Sequence, residues 1–256
     1  MLLGVKHGLF RIHDPQVEEA DQEYQTIRYS VFRRDRYTCR FCGMRTVPAS
    51  PSSFSGFFEI HHADDDHRNN DADNLLTVCP FCHSVFHCGN AGHRESGSII
   101  WLPVVRQEDL NLAVHVLFIL LSYGEEGNSL LENARKANNQ NFVDQALNMA
   151  SRAAELYETL RQLMDDADRE IGMGMSNAAV LGESLTMLYR DDPKLYDQRA
   201  AFLHGARFLP DYDYYRQASA YWAAANTHKN GGGEVISPQM LVSHFQQLQR
   251  VIGKTS

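Results

Sequence analysis

The chain has no apolar run that could cross a bilayer. Its longest, Leu112 to Leu121, is broken by His115 and falls far short of the roughly 20 residues a spanning helix needs. No cationic start followed by an apolar core opens the sequence, so no secretory signal is expected. Cysteine is scarce, five in 256 residues, which fits a reducing cytoplasm better than a secreted disulfide scaffold. A basic excess is also missing: 24 Lys and Arg face 32 Asp and Glu, for a net charge of −8. Proteins whose affinity rests on duplex DNA neutralise phosphates with a basic face, so the balance disfavours DNA as a partner. One basic cluster exists, Arg33, Arg34, Arg36, Arg40 and Arg45; it reads either as a phosphate-facing patch or as a solvated face. Asp64, Asp65 and Asp66 oppose it and would repel phosphate unless metal ions neutralise them.

What is present is enough apolar and aromatic content, 43% and 10%, to fill a core. The cysteines that do occur are paired. Cys39-Arg-Phe-Cys42-Gly43 and Cys79-Pro-Phe-Cys82-His83 stand 36 residues apart. A Cys-x2-Cys turn aims both sulfurs at one point, and Gly43 lets the chain turn sharply after the first pair. Two such turns supply the four ligands of a closed tetrahedral zinc site at Cys39, Cys42, Cys79 and Cys82. Two redox dithiols, or four unrelated buried thiols, are the alternatives. Cys88 is left alone.

Periodicity places helices over Asp21 to Arg36, Phe81 to His87, Glu108 to Tyr123, Ser129 to Ile171 with a polar break at Asn138 to Asn141, Ala178 to Tyr189, Pro193 to His204 and Asp211 to Ala225. Phe57 to His61 and Ile99 to Pro103 read as short strands. Asp14-Pro15, Val47 to Gly56, Ala63 to Asp73 and the glycine-rich Asn90 to Gly97 read as turns or loops. Helix Glu108 to Tyr123 is apolar nearly all round, so it belongs inside a core or under a partner. With more apolar surface than one face can bury, it is expected to line an open groove near Leu117. Tyr215, Tyr221 and Trp222 would then be aromatic anchors for a partner; core packing is the plainer reading of the same residues. Asn226 to Gly233 reads as a flexible linker. The amphipathic helix beyond it, with Leu241, Phe245, Leu248 and Ile252 on one stripe, docks back on the body or on another protein.

Glu59-Ile-His61-His62, then Asn74, then Cys79-x2-Cys82-His83 resembles the HNH (ββα-metal) endonuclease motif in zinc-stapled form. The resemblance implies His61 as first metal ligand, His62 as general base, Asn74 as the residue that orients it and His83 as second ligand. Mg2+ or another divalent cation would then occupy this second site. His87, four residues after His83, is either on the same face or solvent-facing.

A wider set of motifs covers most of the chain: Phe32-Arg-Arg-Asp-Arg-Tyr-Thr-Cys39-Arg-Phe-Cys42-Gly43, Ile99-Ile-Trp-Leu-Pro103, Asn111-Leu-Ala-Val-His-Val-Leu-Phe118 and Arg207-Phe-Leu-Pro210. This set resembles the IcmJ/DotN family of bacterial type IVB secretion and conjugation systems. The fold implied is α+β: an HNH-like zinc-knuckle module over 1–98, a mainly α-helical body over 99–225, a linker over 226–236 and a C-terminal amphipathic helix over 237–256. The function implied is a zinc-stabilised cytoplasmic adaptor in the coupling complex, bound to the tail of the coupling ATPase and recruited through it to the inner membrane. A metal-dependent HNH endonuclease is the second function considered. The acidic charge favours the first and the His–Asn–His set the second.

Overall fold

A computed structural model gives the fold. It describes residues 1–5, 27–45, 58–64, 66 and 69–227. The turn at Asp14-Pro15, the start of the first helix, the loop Val47 to Gly56, Asp65, the glycine linker and the C-terminal amphipathic helix lie outside the described residues, wholly or nearly so. The described residues are mainly helical, with two small antiparallel sheets of two strands each and a cysteine cluster.

Helix α1, described over 27–34, buries Val31 and Phe32 and leads into a tight turn at Arg36 and Tyr37, both with φ of 53°. The first Cys-x2-Cys turn follows. Its hairpin closes through the Thr38–Arg45 bridge, and Gly43 takes φ of 76°, a conformation that favours glycine. Strand β1 (Glu59–His62) pairs antiparallel with β2 (Leu75–Val78), with Ile60 opposite Thr77 and His61 opposite Leu76. Helix α2 (Pro80–Phe86) starts directly after β2. Pro80 occupies its first turn, and the Cys79 sulfur caps it by accepting from the Cys82 N–H at 3.4 Å.

Helix α3 (Cys88–His93) replaces much of the glycine-rich turn expected from Asn90 onward. The glycines serve close approach to a neighbour and do not break the chain there. Helix α8 (Ala178–Asp191) crosses so near that a Cβ on Gly92 would lie 2.0 Å from the Ala179 nitrogen, and one on Gly182 would lie 2.2 Å from the Gly89 Cα. Strand β3 (Gly97–Trp101) pairs antiparallel with β4 (Ala206–Pro210), Ile99 opposite Phe208. Between them run α4 (Gln107–Ser122), α5 (Ser129–Lys136), α6 (Gln140–Gln162), α7 (Met164–Glu170), α8 and α9 (Pro193–Asp197). The helix expected over Pro193 to His204 thus ends early, at Asp197. Asn128, Asn139, Asn177 and Asp192 cap the starts of α5, α6, α8 and α9 with their side chains. Helix α10 (Tyr212–Thr227) closes the described fold.

Helix α4 is the axis of the body. Leu110, Val114, Leu117, Phe118 and Leu120 are all buried, packed among α6, α10 and the second cysteine turn. Phe81, from inside that turn, is the joint. Its ring stacks on His115 at 3.9 Å and meets Phe118, Tyr215 and Trp222 edge-on at 5.4, 4.8 and 5.4 Å. The cysteine cluster, α1, α4, α6 and α10 therefore share one hydrophobic core. A second core joins Leu3 and Val5 to α3, β3, α8 and α9.

Candidate metal centres

The four cysteines meet in the fold. Cys79 and Cys82 are fully buried, Cys39 and Cys42 nearly so, and their sulfurs all lie within 4.8 Å of one another. Cys42 Sγ and Cys79 Sγ are 3.7 Å apart. Four sulfurs at the zinc–sulfur bond length sit about 3.8 Å apart at the corners of a tetrahedron, so the spacing fits a bound zinc. The backbone sets this geometry. The Cys39 N–H donates to the Met44 carbonyl at 2.8 Å, the Gly43 N–H to the Cys39 carbonyl at 3.0 Å, and the Arg40 N–H to the Thr77 carbonyl on β2 at 2.9 Å. Without a cation the cluster is electrostatically awkward. Hydrogen bonds from Cys42, Cys79 and Cys82 push Cys39 far down, burial pushes Cys79 up, and contact with Cys39 pushes Cys82 up. Negative charge can settle on few of the sulfurs at once. A dication lets all four be thiolates. Helix α4 adds one contact: Asn111 donates from Nδ2 to Cys82 Sγ at 3.3 Å.

A second cluster gathers His61 of β1, His83 of α2 and His87, the residue that ends α2; their candidate ligand atoms also lie within 4.8 Å of one another. His83 Nε2 and His87 Nε2 are 3.1 Å apart. Nitrogens at the zinc–nitrogen bond length would sit about 3.4 Å apart on a tetrahedral ion, so the pair can share one cation. The His61 ring is fixed by stacking on Phe86 at 4.3 Å. Glu59 hydrogen-bonds His83 Nδ1, which leaves His83 Nε2 turned to the cluster. Burial raises the Glu59 carboxyl pKa, but its bond with His83 outweighs that and holds it below the usual range. His87 also lines a cleft of about 480 Å3 between α3 and α8, with Asn90, His93, Glu183 and Arg190. Of the two sequence readings of His87, this geometry supports the one on the same face as His83. Glu59 opens the quoted motif but has no role legible in the sequence, because its partner lies 24 residues away on another element.

The two remaining HNH-type residues sit differently from their expected roles. His62 is buried and donates from Nε2 to Asn70 Oδ1 at 3.2 Å. Asn74 faces the other way. It donates to Asp64 Oδ1 at 2.9 Å and to the Asn69 carbonyl at 2.8 Å, and accepts from the Asp64 N–H at 3.1 Å. Asn74 therefore organises the loop, and Asn70 is the asparagine in contact with His62. Asp64, first of the acidic triplet, is held low by hydrogen bonds from Asn69, Asp66 and Asn74. Arg34, from the basic cluster, is likewise spent on structure: it pairs with Asp35 and donates to the Ala72 and Leu75 carbonyls.

The expected aromatic anchors are mostly interior. Leu117 is 1% exposed, Tyr215 6% and Trp222 0%, and only Tyr221 is half-buried. The apolar surplus of α4 is covered from one more side than the sequence suggests, because Phe81 packs into the aromatic set. Among the described residues, the large apolar side chains left exposed are found mainly elsewhere, including Val180 and Met187 on α8, Leu195 on α9 and Met173 before α8. No described helix is long and apolar enough to cross a membrane.

No protein-family profile matches the chain. It is 24% identical over 220 residues to the type 4 apparatus protein DotN of Legionella pneumophila, an alignment covering 85% of this chain and 86% of the relative. That similarity supports a DotN (IcmJ) family relationship, in keeping with the motifs quoted above.

Proposed function

From that kinship we propose that this chain is a zinc-stabilised adaptor subunit of a type IVB secretion or conjugation coupling complex, bound to the cytoplasmic tail of the coupling ATPase. The observation that carries the reading is the likeness to a type 4 apparatus protein over most of both chains. The buried four-cysteine cluster adds to it, since a metal held there has no open position for a substrate and stabilises a fold. In this reading 1–98 is an HNH-like module, for which the β1–β2 hairpin leading into α2 is the support. The body over 99–225 offers the protein-binding surface, and Tyr221 is the one of the three expected aromatic anchors that is half-buried rather than buried. The test is calorimetric titration of the full zinc-loaded chain with the soluble tail of the coupling ATPase encoded in the same genome. Saturable one-to-one binding supports the reading, and no heat or co-elution at tens of micromolar sinks it.

A metal-dependent endonuclease is the second reading, favoured by one observation: His61, His83 and His87 converge, and His62 follows His61 in the chain. In that case a divalent cation on the three imidazoles would stabilise the scissile phosphate and His62 would take a proton from water. Plasmid nicking with Mg2+ or Mn2+, comparing the wild type with His62→Ala, decides it. Cleavage abolished by the substitution would put this reading first.

A further inference from the structure

A line of buried amides runs from the β3–β4 sheet to the cysteine cluster, and its polarity is fixed at one end. The Phe208 backbone N–H on β4 can only donate, and it donates to Gln107 Oε1 at 2.8 Å. Gln107 must then present Nε2 on its other side. Nε2 donates to the Phe208 carbonyl at 2.9 Å and to Asn111 Oδ1 at 2.8 Å. Asn111 Oδ1 is thereby an acceptor, and the Asn111 amide must present Nδ2 to Cys82 Sγ, at 3.3 Å. Gln107 is 3% exposed and Asn111 0%, so water does not compete along the line. Gln107 and Asn111 are one helical turn apart on α4, the same helix that Phe81 joins to the second cysteine turn.

We propose that Asn111 is a positioning residue for the four-cysteine metal centre, and that Gln107 sets the direction of its hydrogen bond. The proposal rests on the reading that Cys39, Cys42, Cys79 and Cys82 hold a metal. A fixed N–H donor gives the ligating sulfur a directed hydrogen bond and holds the Cys82 side chain in its ligating rotamer. The donor comes from the helical body, outside both cysteine turns. Metal retention in the N-terminal half therefore depends on the docking of α4 and β4.

The test uses the full chain loaded with zinc or with Co2+ as a spectroscopic probe. Asn111→Leu keeps the bulk and removes the donor. Gln107→Glu leaves every metal-contacting side chain in place and reverses the line: the introduced carboxylate accepts from the Phe208 N–H and attracts Asn111 Nδ2, which turns Oδ1 toward the sulfur. Both variants should release zinc to a chromogenic chelator at least tenfold faster than wild type, the lower bound for losing such a contact. Both should also shift the thiolate-to-Co2+ charge-transfer band, which a purely structural loss of packing would leave in place. Asn111→Leu addresses packing directly, and Gln107→Glu keeps the test decisive if Asn111→Leu does not fold. Wild-type release rates and an unmoved band in a folded variant overturn the proposal while leaving the metal site standing. A wild type that purifies without metal and takes up none overturns both.

Discussion

Replacing Phe81 with alanine should cost this protein more than truncating any other residue of the cysteine turns except the cysteines themselves, although Phe81 binds no metal. The side chain is fully buried and contacts four aromatic rings, His115, Phe118, Tyr215 and Trp222. Truncating a buried phenylalanine costs about 3–5 kcal/mol through lost transfer energy and the cavity left behind. Edge-on aromatic pairs add about 0.5–1.5 kcal/mol each beyond burial, which puts Phe81→Ala in the upper part of that range. Against a total stability of about 5–15 kcal/mol the change is large. With about 2–4 °C lost per kcal/mol in a chain of this size, a 4 kcal/mol loss lowers Tm by about 8–16 °C. The assay is urea unfolding at fixed free zinc, followed by far-UV circular dichroism. Met173→Ala, at a side chain 89% exposed, is the control and should stay within about 0.5 kcal/mol of wild type. Trp222→Ala should also destabilise. The double variant should lose less than the sum, by about 0.5–3 kcal/mol, because the two rings touch. A Phe81→Ala protein within about 1 kcal/mol of wild type, or strict additivity with Trp222→Ala, would refute the packing of the second cysteine turn into the helical body.

Three further outcomes are expected. Elemental analysis should find zinc retained through chelating chromatography, and Cys79→Ser should lose it and melt lower, since structural zinc contributes folding energy directly. Supplementing the zinc-loaded chain with a divalent cation should fill a second, weaker site that His83→Ala or His87→Ala abolishes; equal uptake by the variants would show that the three histidines do not share an ion. His115 makes the fold acid-sensitive. It is fully buried, burial lowers its pKa from 6.5 to about 3, and neither ring nitrogen has a hydrogen-bond partner among the described residues. The unfolded chain therefore binds a proton that the folded chain does not, so stability falls as pH drops from about 6.5 toward about 3 and is unaffected above that window. His115→Phe should flatten this part of the acid limb relative to wild type in metal-free protein, and an unchanged slope would contradict the buried neutral ring.

What the sequence determined by itself is the part whose physics is local. The two Cys-x2-Cys turns, with Gly43 after one and Pro80 inside the other, carry their own geometry, and the cluster that forms uses the four cysteines the spacing indicates. The polar break at Asn138 to Asn141, Pro193 and the apolar period of Glu108 to Tyr123 mark helix limits or faces within a few residues, and the helices lie close to them. Tertiary structure decided whatever depends on a distant neighbour. Gly92 looks like a turn residue until α8 is placed against it, where only a missing Cβ allows the crossing. Arg207 to Pro210 is a strand because β3, about a hundred residues earlier, offers it a ladder. Leu117, Tyr215 and Trp222 carry the composition of a binding surface, and it is Phe81, arriving from the second cysteine turn, that converts them into core. His87 reads equally as ligand or surface histidine until the fold brings His61 across from β1 to His83 and His87. Asn111 shows no role at the metal in the sequence, because an amide acquires one at a sulfur only when helix packing sets its two ends against fixed partners.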